Sequence, residues 1–147
     1  MNDPIDIKIF RQDGAYELVK ASDDVGYDIK AIRDVHIGQN KVTKIATGIH
    51  LEIPRGVVGF VKNKSSVGIN GLTKTAQVID PSYRGEIHVC LNYNGQDGYF
   101  HEFEAGQKIA QIVFCPYYDV NFVEVDSLND MTTTDRNDGG FGSTGKF

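Results

Sequence analysis

The 147-residue chain has no tryptophan, only two cysteines, no excess of basic residues and no long apolar run. Each shortage removes a class of function. Fifteen Lys plus Arg against 20 Asp plus Glu leave a formal charge of −5, the wrong sign for a surface that tracks a polyphosphate duplex. Long nucleic acids are therefore not expected ligands, whereas a single nucleotide needs only a few local cations. Cys90 and Cys115 stand apart from each other and from any histidine at ligand spacing, which speaks against a zinc site or a redox pair. Both thiols are read as reduced and partly buried. No stretch approaches the roughly 18 apolar residues of a membrane-crossing helix. Met1 to Gln12 carries Asp3, Asp6, Lys8 and Arg11 in place of an apolar leader. The expectation is a cytoplasmic protein with no membrane partner.

A helical period is missing too. Nowhere does an apolar i, i+3, i+4, i+7 pattern persist for three turns. What is present is 16 glycines punctuating short runs of period two. Ile5, Ile7 and Ile9 alternate with Asp6, Lys8 and Phe10, the signature of a strand. Ile45, Thr47, Ile49, Leu51 and Ile53 repeat it as far as the turn signal Pro54-Arg55-Gly56, after which Val57 to Val61 restarts, a pattern that predicts a hairpin. Ile87, Val89 and Leu91 alternate with His88, Cys90 and Asn92, and Ile109 to Phe114 is apolar on both faces apart from Gln111, as a buried strand is. One short helix is expected over Ser65 to Asn70, with Ser65 as its cap. The fold class is all-β, a distorted jelly roll or β-clip barrel with very little helix, forming one domain over residues 1–126. Residues 127–147 are polar and include the run Thr132-Thr133-Thr134; they are read as a flexible C-terminal arm.

Chemistry collects in a few segments. GFGSTGKF, from Gly140 to Phe147, has the G-x-x-x-x-G-K spacing of a P-loop, but Phe147 stands where a magnesium-binding hydroxyl belongs. Its glycine amides, the hydroxyls of Ser143 and Thr144 and the nearby Arg136 still suit a polyphosphate, and Phe141 suits a base. Taken on its own, that segment fits a disordered tail better than a binding loop. In AQVIDPSYRGEIHVCLN, Ala76 to Asn92, Pro81-Ser82 forces a turn just after Asp80, which places Asp80 and Tyr83 at the mouth of a hairpin. A carboxylate held there can orient and deprotonate a water. Asp28 lies inside the apolar run Val25 to Ala31 and needs a partner, either a cation or a metal-bound water. Asn63-Lys64-Ser65-Ser66 offers a cation and two hydroxyls to phosphate oxygens.

Together these segments resemble the trimeric dUTPase family, whose five motifs look like Val25 to Ala31, Asn63 to Gly68, Val78 to Asn92, Gly106 to Gln111 and Arg136 to Gly145, in that order. The resemblance implies a homotrimer that hydrolyses dUTP to dUMP and pyrophosphate with Mg2+, at sites between subunits. By similarity, Asp80 activates the attacking water and Tyr83 packs under the deoxyribose. Main-chain groups near Gln77, Val78, Ile79 and His88 read the uracil edge. Lys64, Ser65, Ser66, Gln111 and Arg136 hold the triphosphate, Asp28 binds a magnesium-bound water, and Phe141, Gly142 and Ser143 close over the nucleotide.

The chain departs from the family pattern at four places. Asn63-Lys64 replaces Pro-Arg, Gln77 replaces glycine, Lys74 falls where some members carry asparagine, and Val25 replaces alanine. Two rivals stand beside the hydrolase. One is a nucleotide-binding regulatory module acting through a partner protein. The other is the dCTP deaminase family, which needs a glutamate where Cys90 stands.

Overall fold

A computed structural model describes residues 3–95 and 98–140. The alternation read from the sequence becomes β1 (Lys8–Arg11), β2 (Tyr27–Lys30), β3 (Val35–Gly38), β4 (Val42–Glu52), β5 (Val57–Lys62), β6 (Leu72–Lys74), β7 (Val78–Ile79), β8 (Ile87–Tyr93), β9 (Phe100–Phe103) and β10 (Lys108–Pro116). One helical turn, α1 (Ser65–Gly68), stands among them. The strands pair antiparallel into two four-stranded sheets, ordered β1-β4-β8-β6 and β2-β10-β5-β7, while β3 and β9 form a separate pair. The period of two explains the layering. Ile87, Val89, Leu91 and Tyr93 of β8 all point inward, and with Ile45, Ile49 and Leu51 of β4 they meet Ile29, Val61, Ile109 and Ile112 from the other sheet. This is the expected all-β class, and the helix is shorter than the sequence predicts. Among the described residues no helix is long and apolar enough to cross a membrane.

Four local expectations change. Residues 54–56 do not close a hairpin, because β4 pairs with β1 and β8 whereas β5 pairs with β10 and β7. β5 is apolar on both faces, so its favourable place is between two neighbours in the second sheet, and the turn carries the chain from one sheet to the other. The segment after Ile79 also bridges sheets: β7 lies on β5, while β8 lies on β4 and β6. Asp80 and Tyr83 therefore sit on a connection between sheets, not at a hairpin mouth. The first strand begins at Lys8, not Ile5, and is an exposed edge. Ser65 falls inside α1; the cap position is Lys64, extended at φ −86 and ψ 147, with no side-chain cap bond.

β4 carries one interruption with consequences for the site. Its register on β8 shifts between Ala46 and Ile49, and the extra residues bulge there. Gly48 sits in the bulge at φ +68, where a Cβ would lie 2.7 Å from Ala15 Cβ and 2.8 Å from Ile32 Cδ1. Left-handed backbone and crowding both call for glycine at this point. Thr47 beside it is buried, but its hydroxyl donates to the Ile87 carbonyl at 2.6 Å and accepts from Ile49 N at 3.2 Å.

Past β10 the described chain forms no further strand. Ser127 caps a short 3-10 turn over Leu128–Asp130 with reciprocal side-chain bonds. The surroundings are polar and exposed, yet Tyr118, Val120, Phe122 and Val123 just before them also stand in solvent.

Candidate active site

The predicted functional residues fall into two groups, one on each side of β5. The first is built where β2, β10 and the loop before α1 meet. Register places Asp28 opposite Gln111 across β2 and β10. Asp28 is buried, and its oxygens are taken by two cations: Oδ1 accepts from Lys64 Nζ, and Oδ2 accepts from Lys108 Nζ at 2.6 Å. Of the two partners the sequence left open for Asp28, the structure provides cations. Burial on its own pushes the Asp28 carboxyl up, but the hydrogen bonds and charges of Lys108 and Lys64 outweigh it and hold the group below its ordinary 3.8. Asp28 in turn raises Lys108 above its usual range.

Gln111 ties the neighbouring loop, donating from Nε2 to the Asn63 carbonyl at 2.9 Å. The Asn63 side chain fastens the same loop to β6, donating to Leu72 O at 3.1 Å and accepting from Lys74 N at 3.2 Å. Asparagine thus provides two anchors that the family's proline lacks. Ser65 and Ser66 follow, both exposed, and neither hydroxyl has a partner among the described residues. The two ammonium groups carry one more charge than Asp28 offsets, and with the two hydroxyls they can donate to an anion.

The second group is the turn from β7 to β8. Asp80 is exposed, and its carboxylate has no side-chain partner among the described residues; only its carbonyl is used, accepting from Tyr83 N at 3.0 Å. A free carboxylate on an anchored turn is available as a base, in contrast to a residue spent on capping its own backbone. Tyr83 folds back over Gly85 so that its hydroxyl donates to the Glu86 carbonyl at 2.9 Å. A Cβ on Gly85 would lie 2.4 Å from that hydroxyl, so the ring's position depends on glycine there. His88 donates from Nδ1 to the same carbonyl at 3.0 Å, which puts its proton on Nδ1. His50 reaches the turn from β4, donating from Nδ1 to the Arg84 carbonyl at 2.9 Å.

Beside this turn the backbone opens a slot. β6 pairs with β8 only as far as Lys74 and Leu91, and Thr75 N to Cys90 O at 3.0 Å closes the ladder. The chain then leaves for β5, where Gln77 O accepts from Val61 N at 2.8 Å and Ile79 pairs with Gly59. Between Gln77–Ile79 and the start of β8 the main chains no longer bond to each other, which leaves polar groups at the slot's edges. Lys74 and Gln77, two departures from the family pattern, meet at its rim, with Lys74 Nζ donating to Gln77 Oε1 at 2.6 Å. Burial and the neighbouring Lys62 lower the Lys74 ammonium below its usual range.

Within one chain Asn63 of the first group bonds to Lys74 beside the second, but the Asp80 turn lies apart from Asp28 and Lys64. Ile79 is paired with Gly59, while Lys62 ends β5 three residues further on, about 10 Å along the strand. Arg136 is exposed on a turn closed by its own bonds with Gly139, and it makes no hydrogen bond to either group. Phe141, Gly142 and Ser143 lie outside the described residues. Lys108 and Glu86 were not singled out from the sequence, although both fall inside quoted motifs; a lysine next to a strand apolar on both faces was the available signal for the first. Cys90 and Cys115 are free and half-buried, as expected. Among the described residues no group of three or more His, Cys, Asp or Glu is placed to hold a metal ion.

Residues 15–145 match the family model described as dUTPase. The chain is 36% identical over 143 residues to the deoxyuridine 5'-triphosphate nucleotidohydrolase of Clostridium tetani, covering 95% of each. Its fold is similar to that of the Staphylococcus bacteriophage 80alpha dUTPase solved with dUPNHPP, at TM-score 0.86 and 22% identity over 96% of this chain and 99% of that one. It is also similar to a mutant dUTPase of phage phi11 of S. aureus, in which a structural Mg(II) ion is coordinated, at TM-score 0.75 and 20% identity over 84% and 99%.

Proposed function

The chain belongs to the dUTPase family, and from that premise we propose that it hydrolyses dUTP to dUMP and diphosphate, with Asp80 as the base. The observation that carries this reading is the exposed Asp80 carboxylate, free of side-chain partners among the described residues, on a turn whose backbone is tied at Asp80, Arg84 and Glu86. Asp80 takes a proton from a water whose oxygen bonds to the α-phosphorus. The α,β-bridging oxygen leaves with diphosphate, and the proton passes to solvent. Tyr83 lies under the sugar, where a 2′-hydroxyl has no room. The slot edges at Gln77, Val78, Ile79 and His88 offer main-chain donors and acceptors to the uracil.

Lys64, Ser65, Ser66 and Gln111 hold the triphosphate, and Arg136 meets its far end. Magnesium comes with the substrate as the triphosphate complex and lowers the charge on the phosphate oxygens. With both Asp28 oxygens already held by lysines, that carboxylate fits a hydrogen bond from a metal-bound water better than direct ligation, consistent with magnesium's reluctance to dehydrate.

The site is completed between subunits of a homotrimer in the cytoplasm. The separation of the two groups along β5 supports this, since neither alone carries both a base and an anion cradle. Tyr118, Val120, Phe122 and Val123 are exposed, and an open apolar groove of about 390 Å³ is lined by Ile5, Ile7, Ile9, Leu18 and Phe114; both are surfaces that association would cover. Residues 127–147, with Phe141, Gly142 and Ser143, form the arm that closes over nucleotide held by neighbouring subunits.

A diphosphate-release assay across dUTP, UTP, dTTP and dCTP tests the proposal. Release from dUTP alone is expected. Ammonia from dCTP would establish the deaminase instead, and tight dUTP binding without turnover would establish the regulatory module.

A further inference from the structure

The turn that bears Asp80 and Tyr83 is anchored where it enters β8 by Glu86. Its Oε1 accepts from two successive amides of the β4 bulge, Thr47 N at 3.1 Å and Gly48 N at 2.8 Å. Those amides point away from the β4–β8 ladder because the register slips there, so without an outside acceptor they would be unpaired at a partly buried position. The other carboxylate oxygen, Oε2, lies 3.4 Å from His88 Nε2. The backbone of the same residue serves the turn as well, since its carbonyl accepts both the Tyr83 hydroxyl and His88 Nδ1.

Glu86 is thus bonded through its side chain to β4 and through its carbonyl to the tyrosine ring. If the carboxylate lets go, the carbonyl that receives Tyr83 moves with it. Opposite the bulge, Gln12 N donates to Gly48 O at 2.9 Å, which fixes the bulge from its outer side. The anchor has a rigid base.

We propose that Glu86 is the positioning residue that sets Tyr83, and through the turn Asp80, against the nucleotide, so that the preference for a 2′-deoxy sugar depends on a carboxylate that touches no substrate. This rests on the assignment of Tyr83 to the sugar. The required property is an acceptor at the right reach, not the negative charge. Gln in its place keeps an oxygen for both bulge amides, and its NH2 can donate to a neutral His88 Nε2. Asp keeps the charge but withdraws it by one methylene, too short to meet the bulge.

The experiment compares Glu86→Gln and Glu86→Asp with wild type. It measures kcat and KM for dUTP and UTP, together with the affinities for the α,β-imido analogues of both nucleotides and thermal unfolding to establish that each variant is folded. Glu86→Gln is expected to keep the dUTP-over-UTP preference within about threefold, and Glu86→Asp to lose roughly tenfold of it, in the ratio of imido-analogue affinities as well as in kcat/KM, because a displacement near 1 Å is costly in a fitted site. A folded Glu86→Asp variant with the wild-type preference, or two variants that behave alike, would overturn the assignment. The imido-analogue ratio reads Tyr83 placement without turnover, so a wild-type chain that releases no diphosphate contradicts the hydrolase reading and not this one.

Discussion

Substituting Asp28 by asparagine separates a structural counter-ion from a residue that serves only the bound metal complex. Asp28→Asn removes the charge between two ammonium groups and replaces one acceptor oxygen by an amide that cannot receive a proton from lysine. Removing one partner of a fully buried pair costs about 3–5 kcal/mol. The Asp28 side chain is 10% exposed and Lys64 22%, but Lys108 is 53% exposed, so water recovers part of the loss and about 2 kcal/mol is expected. For a chain of this size that lowers the unfolding midpoint by roughly 4–8 °C.

The pH dependence sharpens the test. Because the folded carboxyl is held below 3.8, its contribution is complete above that value and disappears as pH falls through the lower folded value. The gap between wild type and Asp28→Asn should therefore hold from neutral pH down to about pH 5 and begin to close only as pH falls below 3.8. Thermal unfolding at fixed protein concentration and without nucleotide reads it. A variant as stable as wild type at neutral pH, or a gap that stays constant into acid, would refute the account of Asp28 as the counter-ion of Lys64 and Lys108.

Other outcomes follow from the same contacts. Gly85→Ala drives the Tyr83 ring off Glu86 O, since the new Cβ would lie 2.4 Å from the hydroxyl. Tyr83 is 44% exposed and its ring can swing out, so stability should fall by only about 1 kcal/mol while the UTP-to-dUTP turnover ratio rises roughly tenfold; an unchanged ratio would show that Tyr83 does not face the sugar. Truncation after Asn129 removes Arg136 and the glycine-rich end but no strand among the described residues. Light scattering should still show a trimer with turnover nearly abolished, and a fully active truncate would contradict the closing arm.

Much of the frame was legible because period two survives wherever one face of a strand is buried. Ile87 to Leu91 and Ile45 to Leu51 read directly as β8 and β4. Partner choice did not read, because alternation says which face is buried and not which sheet covers it; for that reason 54–56 and 80–86 were both taken for hairpins. The candidate site was legible only as residue types within motifs, among them Asp80, Tyr83, Asp28 and Lys64. Their division between the two sides of β5 was not, because it arises from long-range register, and Glu86 escaped because its partners are backbone amides exposed by a bulge thirty-nine residues upstream. The Lys74–Gln77 contact shows the converse: two departures noted separately in the sequence prove to be one hydrogen-bonded pair.

The central claim is that a free carboxylate at Asp80 drives hydrolysis at the α-phosphorus. The most direct measurement is diphosphate release from dUTP with magnesium by wild type and by Asp80→Asn, with affinity for the α,β-imido analogue measured in parallel. The account predicts turnover by wild type, loss of roughly a thousandfold or more in the variant, and little change in affinity. Turnover retained by Asp80→Asn would contradict it.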